Sequence, residues 1–282
     1  QALELGAFDF VPKPEADSAS KGLEAVRREL IPKLTFLHTR KTLRQVSGER
    51  PPKKTIPSVA PVARPIPRPA VAERITIRTG TRIKRRVVAL GISTGGPRAL
   101  GEMMVGLPKD LEAGLLIVQH MPPVFTQTLA QRLNEISPLE TREAQDGDLV
   151  EPGVALVAPG GRHMVTLGEG RSKDQIRVRL NNDPPEHSCR PSADVLFRSV
   201  AEVYGAEAVG VIMTGMGFDG TEGLRLMRSK GAYIIAQNEE TCTVYGMPKK
   251  VVEEGIAEEI VPLGEISAAI VRSVTTTGKT SA

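Results

Sequence analysis

From residue 84 to about residue 270, short apolar runs alternate with segments whose apolar positions recur at helical intervals. RRVVALG, GLLIVQH, AVGVIMTG and AYIIAQ are runs of strand length, mostly bounded by glycine. PRALGEMMVGL, VFTQTLAQRLNEI, SADVLFRSVAEVY and GTEGLRLMRSK carry the spacing of amphipathic helices. Repeated strand–helix alternation predicts an α/β domain, a mostly parallel sheet with helices on both faces. GDLVEPGVALVAPGGRHMVTL and QIRVRL break the alternation and read as a strand-rich insertion.

The pattern also marks off what comes before. Residues 1–38 read as a helix end, a strand in FDFVPKP, a loop and a second helix. In that helix Leu23, Val26 and Leu30 share a face, which Leu34 and Leu37 continue beyond Pro32, a residue that should kink or end it. One strand and two helices cannot bury their own faces, so this piece reads as the tail of a larger α/β domain. A first residue of Gln1 fits a piece cut from a longer protein. Residues 39–83 show neither period. There RPPKKTIPSVAPVARPIPRP holds seven prolines, the composition of an extended, semi-rigid spacer. Residues 271–282 read as a C-terminal tail.

Charge changes the picture only locally. Residues 39–87 carry 14 Lys/Arg against Glu49 and Glu73, a net of +12, so the total of +4 leaves the other residues at −8. The basic character belongs to the spacer, and the folded parts are acidic. Such a segment is either solvated or a contact for nucleic acid or acidic lipid. The absence of Trp and an aromatic content of 3% argue against base-stacking platforms. No apolar run approaches the length of a membrane span, and no secretory leader pattern opens the sequence. Cys189 and Cys242 have no metal or redox spacing and read as reduced thiols packed as small hydrophobes in a cytoplasmic protein.

In an open α/β sheet the working groups sit just beyond the C-terminal ends of strands. Gly91-Ile92-Ser93-Thr94-Gly95 fits the G-x-S-x-G elbow, whose small residues let the chain turn sharply and lift the hydroxyl clear. The next helix, opening near Pro97, points N–H groups and its positive end at the same place. The competing reading is a phosphate turn, but G-x-G-x-x-G needs glycine where Ser93 stands. A serine needs a base, and His120 ends the next strand. A β–α–β unit puts both strand ends on one edge. The other histidines are His38 beside the spacer, His163 in the insertion and His187 in NNDPPEHSC. The base in turn needs a carboxylate. AVGVIMTGMGFDG runs from a buried strand into a glycine-rich loop with one acid, Asp219, which also suits an N-cap of GTEGLRLM. The order Ser, His, Asp differs from the Ser, Asp, His of α/β-hydrolases, and triads are defined by geometry rather than order.

Five ordered motifs, GISTGGP, QHMPPVFT, HSCRPSADVLF, MTGMGFDGTEG and ETCTVYGMP, closely resemble the catalytic domain of chemotaxis protein-glutamate methylesterases, the CheB family. The resemblance covers about residues 84–270. It implies a doubly wound, mostly parallel sheet with an antiparallel hairpin, with Ser93 as nucleophile, His120 as base and Asp219 as orienter. It also implies an oxyanion hole near Thr94 and Met216, a cleft lined by Arg190 and Tyr245, and no metal or diffusible cofactor. The implied substrates are γ-glutamyl methyl esters of methyl-accepting chemoreceptor cytoplasmic domains, with receptor glutamines as possible targets of deamidation. LGAFDFVPKP resembles the end of a response-regulator receiver domain, with Lys13 at the phosphoryl-contacting lysine and Phe10 at the aromatic switch position. An intact receiver in the full-length protein implies a two-component histidine kinase as a further partner. This chain, which lacks the phosphoacceptor aspartate, is expected not to be phosphorylated there.

Two readings from other classes stand beside this one. A nucleotide-binding α/β module would use GISTGG as its phosphate turn, leaving His120 and Asp219 without roles. A DNA-binding response regulator would use the basic segment, although the sequence carries no recognisable helix-turn-helix.

Overall fold

The computed structural model describes residues 84–168 and 175–275, together with five helical positions, Leu23, Val26, Arg27, Leu30 and Ile31. The expectations for Phe10, Lys13, His38 and residues 39–83 lie outside the described residues. In chain order the elements are β1 (Val87–Ile92), α1 (Gly96–Val105), β2 (Gly114–Gln119), α2 (Pro123–Ile136), β3 (Glu140–Glu143) and β4 (Val154–Val157). They continue with β5 (His163–Gly168), β6 (Ile176–Asn181), α3 (Ala193–Tyr204), β7 (Ala208–Ile212) and α4 (Thr221–Ser229). The last are β8 (Tyr233–Gln237), α5 (Met247–Glu253), β9 (Glu259–Val261) and α6 (Leu263–Thr275).

Seven strands form one sheet in the order β3-β4-β2-β1-β7-β8-β9, and every pairing in it is parallel. β1, β2 and β7 are buried along their whole length, so their apolar runs serve both faces. Val88, Leu90 and Ile92 of β1 face Leu100 and Met103 of α1, Leu133 of α2 and Ile270 of α6. Val87 and Ala89 belong to the opposite core, with Phe197 and Val200 of α3 and Leu224 of α4. This is a doubly wound sheet. The chain leaves β1 for β2 on one side and returns to β7 on the other, so the order reverses at β1, where such sheets open a crevice.

The insertion is smaller than its sequence suggests. Among the described residues only β5 and β6 form the separate antiparallel pair, while β4, read as part of the insertion, joins the main parallel sheet. The last helix runs to Thr275, so a boundary at residue 270 falls inside it. Among the described residues no helix is long and apolar enough to cross a membrane.

Candidate active site

The crevice at β1 is built from three strand ends. Ile92 is level with Gln119, and the His120 N–H donates to the Ile92 carbonyl at 3.1 Å. On the other side the Ser93 N–H donates to the Thr214 carbonyl at 3.0 Å. Ser93 is thereby pinned between the ends of β2 and β7. The turn is tight, since the Gly96 N–H reaches back to the Ser93 carbonyl at 2.8 Å, and Gly95 adopts φ 82°, a left-handed conformation that favours glycine. The buried Gln119 amide also donates to the Ser93 and His120 carbonyls, at 3.0 and 3.1 Å. Among the described residues the Ser93 hydroxyl makes no hydrogen bond of its own.

His120 is 12% exposed, and its Nε2 lies 2.7 Å from Oδ2 of Asp219, itself 3% exposed. An ionised carboxylate only accepts, so Nε2 carries a proton in either charge state, and in the neutral ring the lone pair is on Nδ1. The same carboxylate takes three more donors: the Ser192 hydroxyl and the Asp194 N–H on Oδ1, at 2.7 and 3.1 Å, and the Ala193 N–H on Oδ2 at 2.7 Å. These backbone donors are the first amides of α3, where the helix end favours an anion. Asp219 does not cap α4, whose N-cap is Gly220 without a side-chain bond. Burial opposes ionisation of Asp219, but the His120 bond and charge, the Ala193 amide and Ser192 outweigh it and hold the carboxyl at about 2. Burial likewise opposes the charged form of His120, yet its bonds and charge pairing with Asp219 and Cys189 raise it to about 10. The second contact is Cys189 Sγ, 3.6 Å from Nδ1.

The other described histidines do different work. His163 is fully buried, accepting from the Ser192 N–H at Nδ1 (3.2 Å), so its Nε2–H donates to the Pro184 carbonyl (3.2 Å). It is a satisfied core residue that anchors the approach to α3. His187 sits at φ 50°, with Nε2 3.1 Å from Oδ2 of Asp194 and its ring edge-on to Phe218, centroids 4.8 Å apart. Among the described residues, the amides of Thr94 and Met216 are both without an acceptor. Arg190 spends its guanidinium on the Asn182 and Asp183 carbonyls, each at 3.1 Å, and so ties down the loop before α3. Tyr245 pairs by a single parallel bridge with Gly215, and burial first, then nearby acids, push its phenol up.

A model of the family described as CheB methylesterase matches residues 88–270. The chain belongs to that family. It is 42% identical over 276 residues to the protein-glutamate methylesterase/protein-glutamine glutaminase of Desulfotalea psychrophila, covering 97% of this chain and 73% of that one. The counterpart of the same name in Symbiobacterium thermophilum is 44% identical, with 97% and 72% covered. The crystal structure of the Thermotoga maritima CheB methylesterase catalytic domain superposes with a TM-score of 0.65 at 38% identity, covering 67% of this chain and 99% of that domain.

Several residues of this CheB-family site carried no readable signal of their own in the sequence. Ser192 and the α3 amides lie 25 to 27 positions from Asp219, and only tertiary packing brings them to it. Thr214 is another. Its hydroxyl donates to the Thr94 carbonyl at 3.0 Å and accepts from the Val244 N–H at 2.9 Å, locking the serine turn to the ETCTVYGMP loop. The expectation that both cysteines pack as small hydrophobes holds for buried Cys242 but not for half-buried Cys189, which faces the His120 ring. Its side of the loop, HSCRPSAD, was legible as a motif; its contact was not.

Proposed function

We propose that this chain is a serine-type protein-glutamate methylesterase acting on glutamyl methyl esters of chemoreceptor cytoplasmic domains, and that it also deamidates receptor glutamines. The single observation that carries the mechanism is the buried His120–Asp219 pair at 2.7 Å, set at the strand end beside Ser93. Asp219, kept ionised by the α3 amides, holds Nε2–H and leaves Nδ1 to take a proton. Ser93 Oγ attacks the ester carbonyl while its proton passes to Nδ1. The oxyanion is held by the free amides of Thr94 and Met216, and collapse expels methoxide, which leaves as methanol with the proton from His120. Water, deprotonated by the same nitrogen, releases the glutamate and restores Ser93. With a glutamine the leaving group is ammonia, and the steps are otherwise the same.

A protein substrate suits the rim. Met216 and Phe218 are 40% and 55% exposed on the Asp219 loop, and Val124 and Phe125, just after His120, are also exposed. We assign Arg190 to positioning the loop beside the cleft and Tyr245 to its opposite wall. By the same reading residues 1–38 are a receiver remnant, with Lys13 at the phosphoryl-contacting lysine and Phe10 at the aromatic switch position. Residues 39–83 are a linker and residues 84–270, carried on to the end of α6 at Thr275, the catalytic domain. The protein is cytoplasmic, and an intact receiver in a full-length protein would take its phosphoryl group from a histidine kinase. The test is methanol release from methylated receptor membranes, compared between the wild type and Ser93→Ala. Equal release from both sinks the mechanism.

A further inference from the structure

The nitrogen that the Asp219 pairing leaves free faces a thiol. Cys189 Sγ stands 3.6 Å from His120 Nδ1, and His120, Cys189 and Asp219 offer ligand atoms within 4.8 Å of one another. A zinc ion bound tetrahedrally by one thiolate and one imidazole holds its sulfur and nitrogen about 3.6 Å apart, from Zn–S near 2.3 Å and Zn–N near 2.0–2.1 Å. The pair is therefore already at chelating distance. The ring is also oriented as a metal ligand's ring is: Nε2–H is committed to the Asp219 carboxylate, so the nitrogen that presents the lone pair in the neutral ring is the one facing the thiol. Asp219 is in turn fixed by Ser192 and the α3 amides, which hold the whole arrangement rigid.

We propose that His120 Nδ1 and Cys189 Sγ form a binding site for a soft divalent cation, Zn²⁺ above all, that inhibits the enzyme by occupying its base. Asp219 stands behind the ring, and solvent completes the coordination. Binding displaces the thiol proton and, from the protonated ring, the Nδ1 proton, both released to solvent, and forms one Zn–S and one Zn–N bond; no electron transfer is involved. Hard cations such as Mg²⁺, which prefer oxygen, have no comparable donor set here. The neighbouring group Glu186, His187 and Asp194 is a poorer competitor, because both Glu186 oxygens are taken by the Arg198 guanidinium. The inhibitory consequence rests on His120 being the catalytic base; the binding itself does not.

The test reads binding and activity separately on the untagged full chain. Co²⁺ is added as a spectroscopic stand-in for Zn²⁺, and the thiolate-to-cobalt charge-transfer absorption is followed in the wild type, Cys189→Ala, Cys242→Ala, His187→Ala and Ser93→Ala. The absorption is expected in all except Cys189→Ala. Its absence from the wild type, its persistence in Cys189→Ala, or its loss in His187→Ala or Cys242→Ala overturns the site. In parallel, Zn²⁺ should inhibit methanol release by the wild type reversibly on chelation, and Mg²⁺ should not. Relative to its own metal-free rate, Cys189→Ala should need at least about tenfold more Zn²⁺ for half-inhibition, the smallest loss usual even for groups one shell beyond the metal. Equal sensitivity of both proteins overturns the inhibitory role. A wild type that binds Co²⁺ as described but releases no methanol counts against the catalytic reading alone and leaves the metal site standing.

Discussion

Asp219 Oδ2 accepts from both His120 Nε2 and the Ala193 amide, each at 2.7 Å, so one oxygen joins the His120 ring to the N-terminus of α3. The carboxylate is thus neither a simple partner of the histidine nor a cap for the helix that follows it. It is a buried anion with four donors. Its charge is sustained by a helix end, and that charge orients the ring at the end of β2.

Ser93→Ala should lower methanol release by roughly a million-fold, as loss of the nucleophile does in serine hydrolases generally. The hydroxyl makes no hydrogen bond among the described residues, so thermal stability should be unchanged. A variant keeping a tenth of the activity would show that Ser93 is not the nucleophile.

Asp219→Asn keeps the shape but puts an amide among four donors. One of its two positions must then face an N–H or O–H with another N–H, and the fixed tautomer of His120 is lost. Turnover should fall by about 10⁴-fold, the cost of this change where a carboxylate orients a catalytic histidine. Steady-state kinetics on receptor membranes would decide it, and a loss confined to KM would argue against an orienting role.

Base catalysis needs the neutral ring, and His120 is raised to about 10. The neutral fraction grows about tenfold per pH unit below that value, so kcat/KM should climb from neutral pH toward pH 9 rather than plateau at 7. Burial works against the raised value, and Asp219 and Cys189 bring it about. Cys189→Ala should therefore move the rising limb to lower pH. A limb that stays in place would remove Cys189 from the electrostatics of the site.

The same pair links stability to pH. His120 is raised from 6.5 to about 10, so its contribution is complete below 6.5 and is lost as pH rises through 10. Asp219 is lowered from 3.8 to about 2, so its contribution is present above 3.8 and is lost as pH falls through 2. Both describe one interaction, greatest between roughly pH 4 and 6.5. The gap in melting temperature between the wild type and His120→Ala should be wide at pH 6 and narrow by pH 10. A gap that widens with pH would contradict the direction of the shift.

Gly215 allows the loop after β7 to pass close beneath the serine. A Cβ there would stand 2.9 Å from Ser93 Cβ and run into Met247 Sδ. The methionine can swing aside, but the Ser93 backbone is fixed by bonds to β2 and β7. Gly215→Ala should cost about 1–3 kcal/mol of stability by overpacking. By displacing Ser93, the proposed nucleophile, it should also reduce kcat on the order of 10²-fold. Unchanged kcat in a folded variant would mean that the turn has more freedom than its hydrogen bonds imply.

The central strands and four main helices were legible because both faces of a doubly wound sheet are covered, so β1, β2, β7 and β8 are apolar almost throughout, with a glutamine only at the C-terminal ends of β2 and β8. The edge strands were not. β3 is ETRE, and β9 keeps two of its three residues half-exposed or exposed, as suits strands at a sheet's rim. β4 was visible as a strand but not as a member of the parallel sheet, since a four-residue apolar run carries no record of its neighbour. The short α5 and the final helix α6 were not anticipated either.

For the site, the sequence by itself determined which groups stand at strand ends. An apolar run followed by a turn fixes where the chain leaves the sheet, and so places Ser93 and His120 on one edge, with Asp219 in the loop beyond β7. Tertiary structure alone decided the electrostatics. The α3 amides and Ser192 converge on Asp219, Thr214 holds the serine turn, and Cys189 rather than another polar group meets Nδ1. Each of these contacts joins segments far apart in the chain, with distance and direction set by how α3 and the loops pack on the sheet. Local periodicity records which face a residue buries; it does not record what lies opposite.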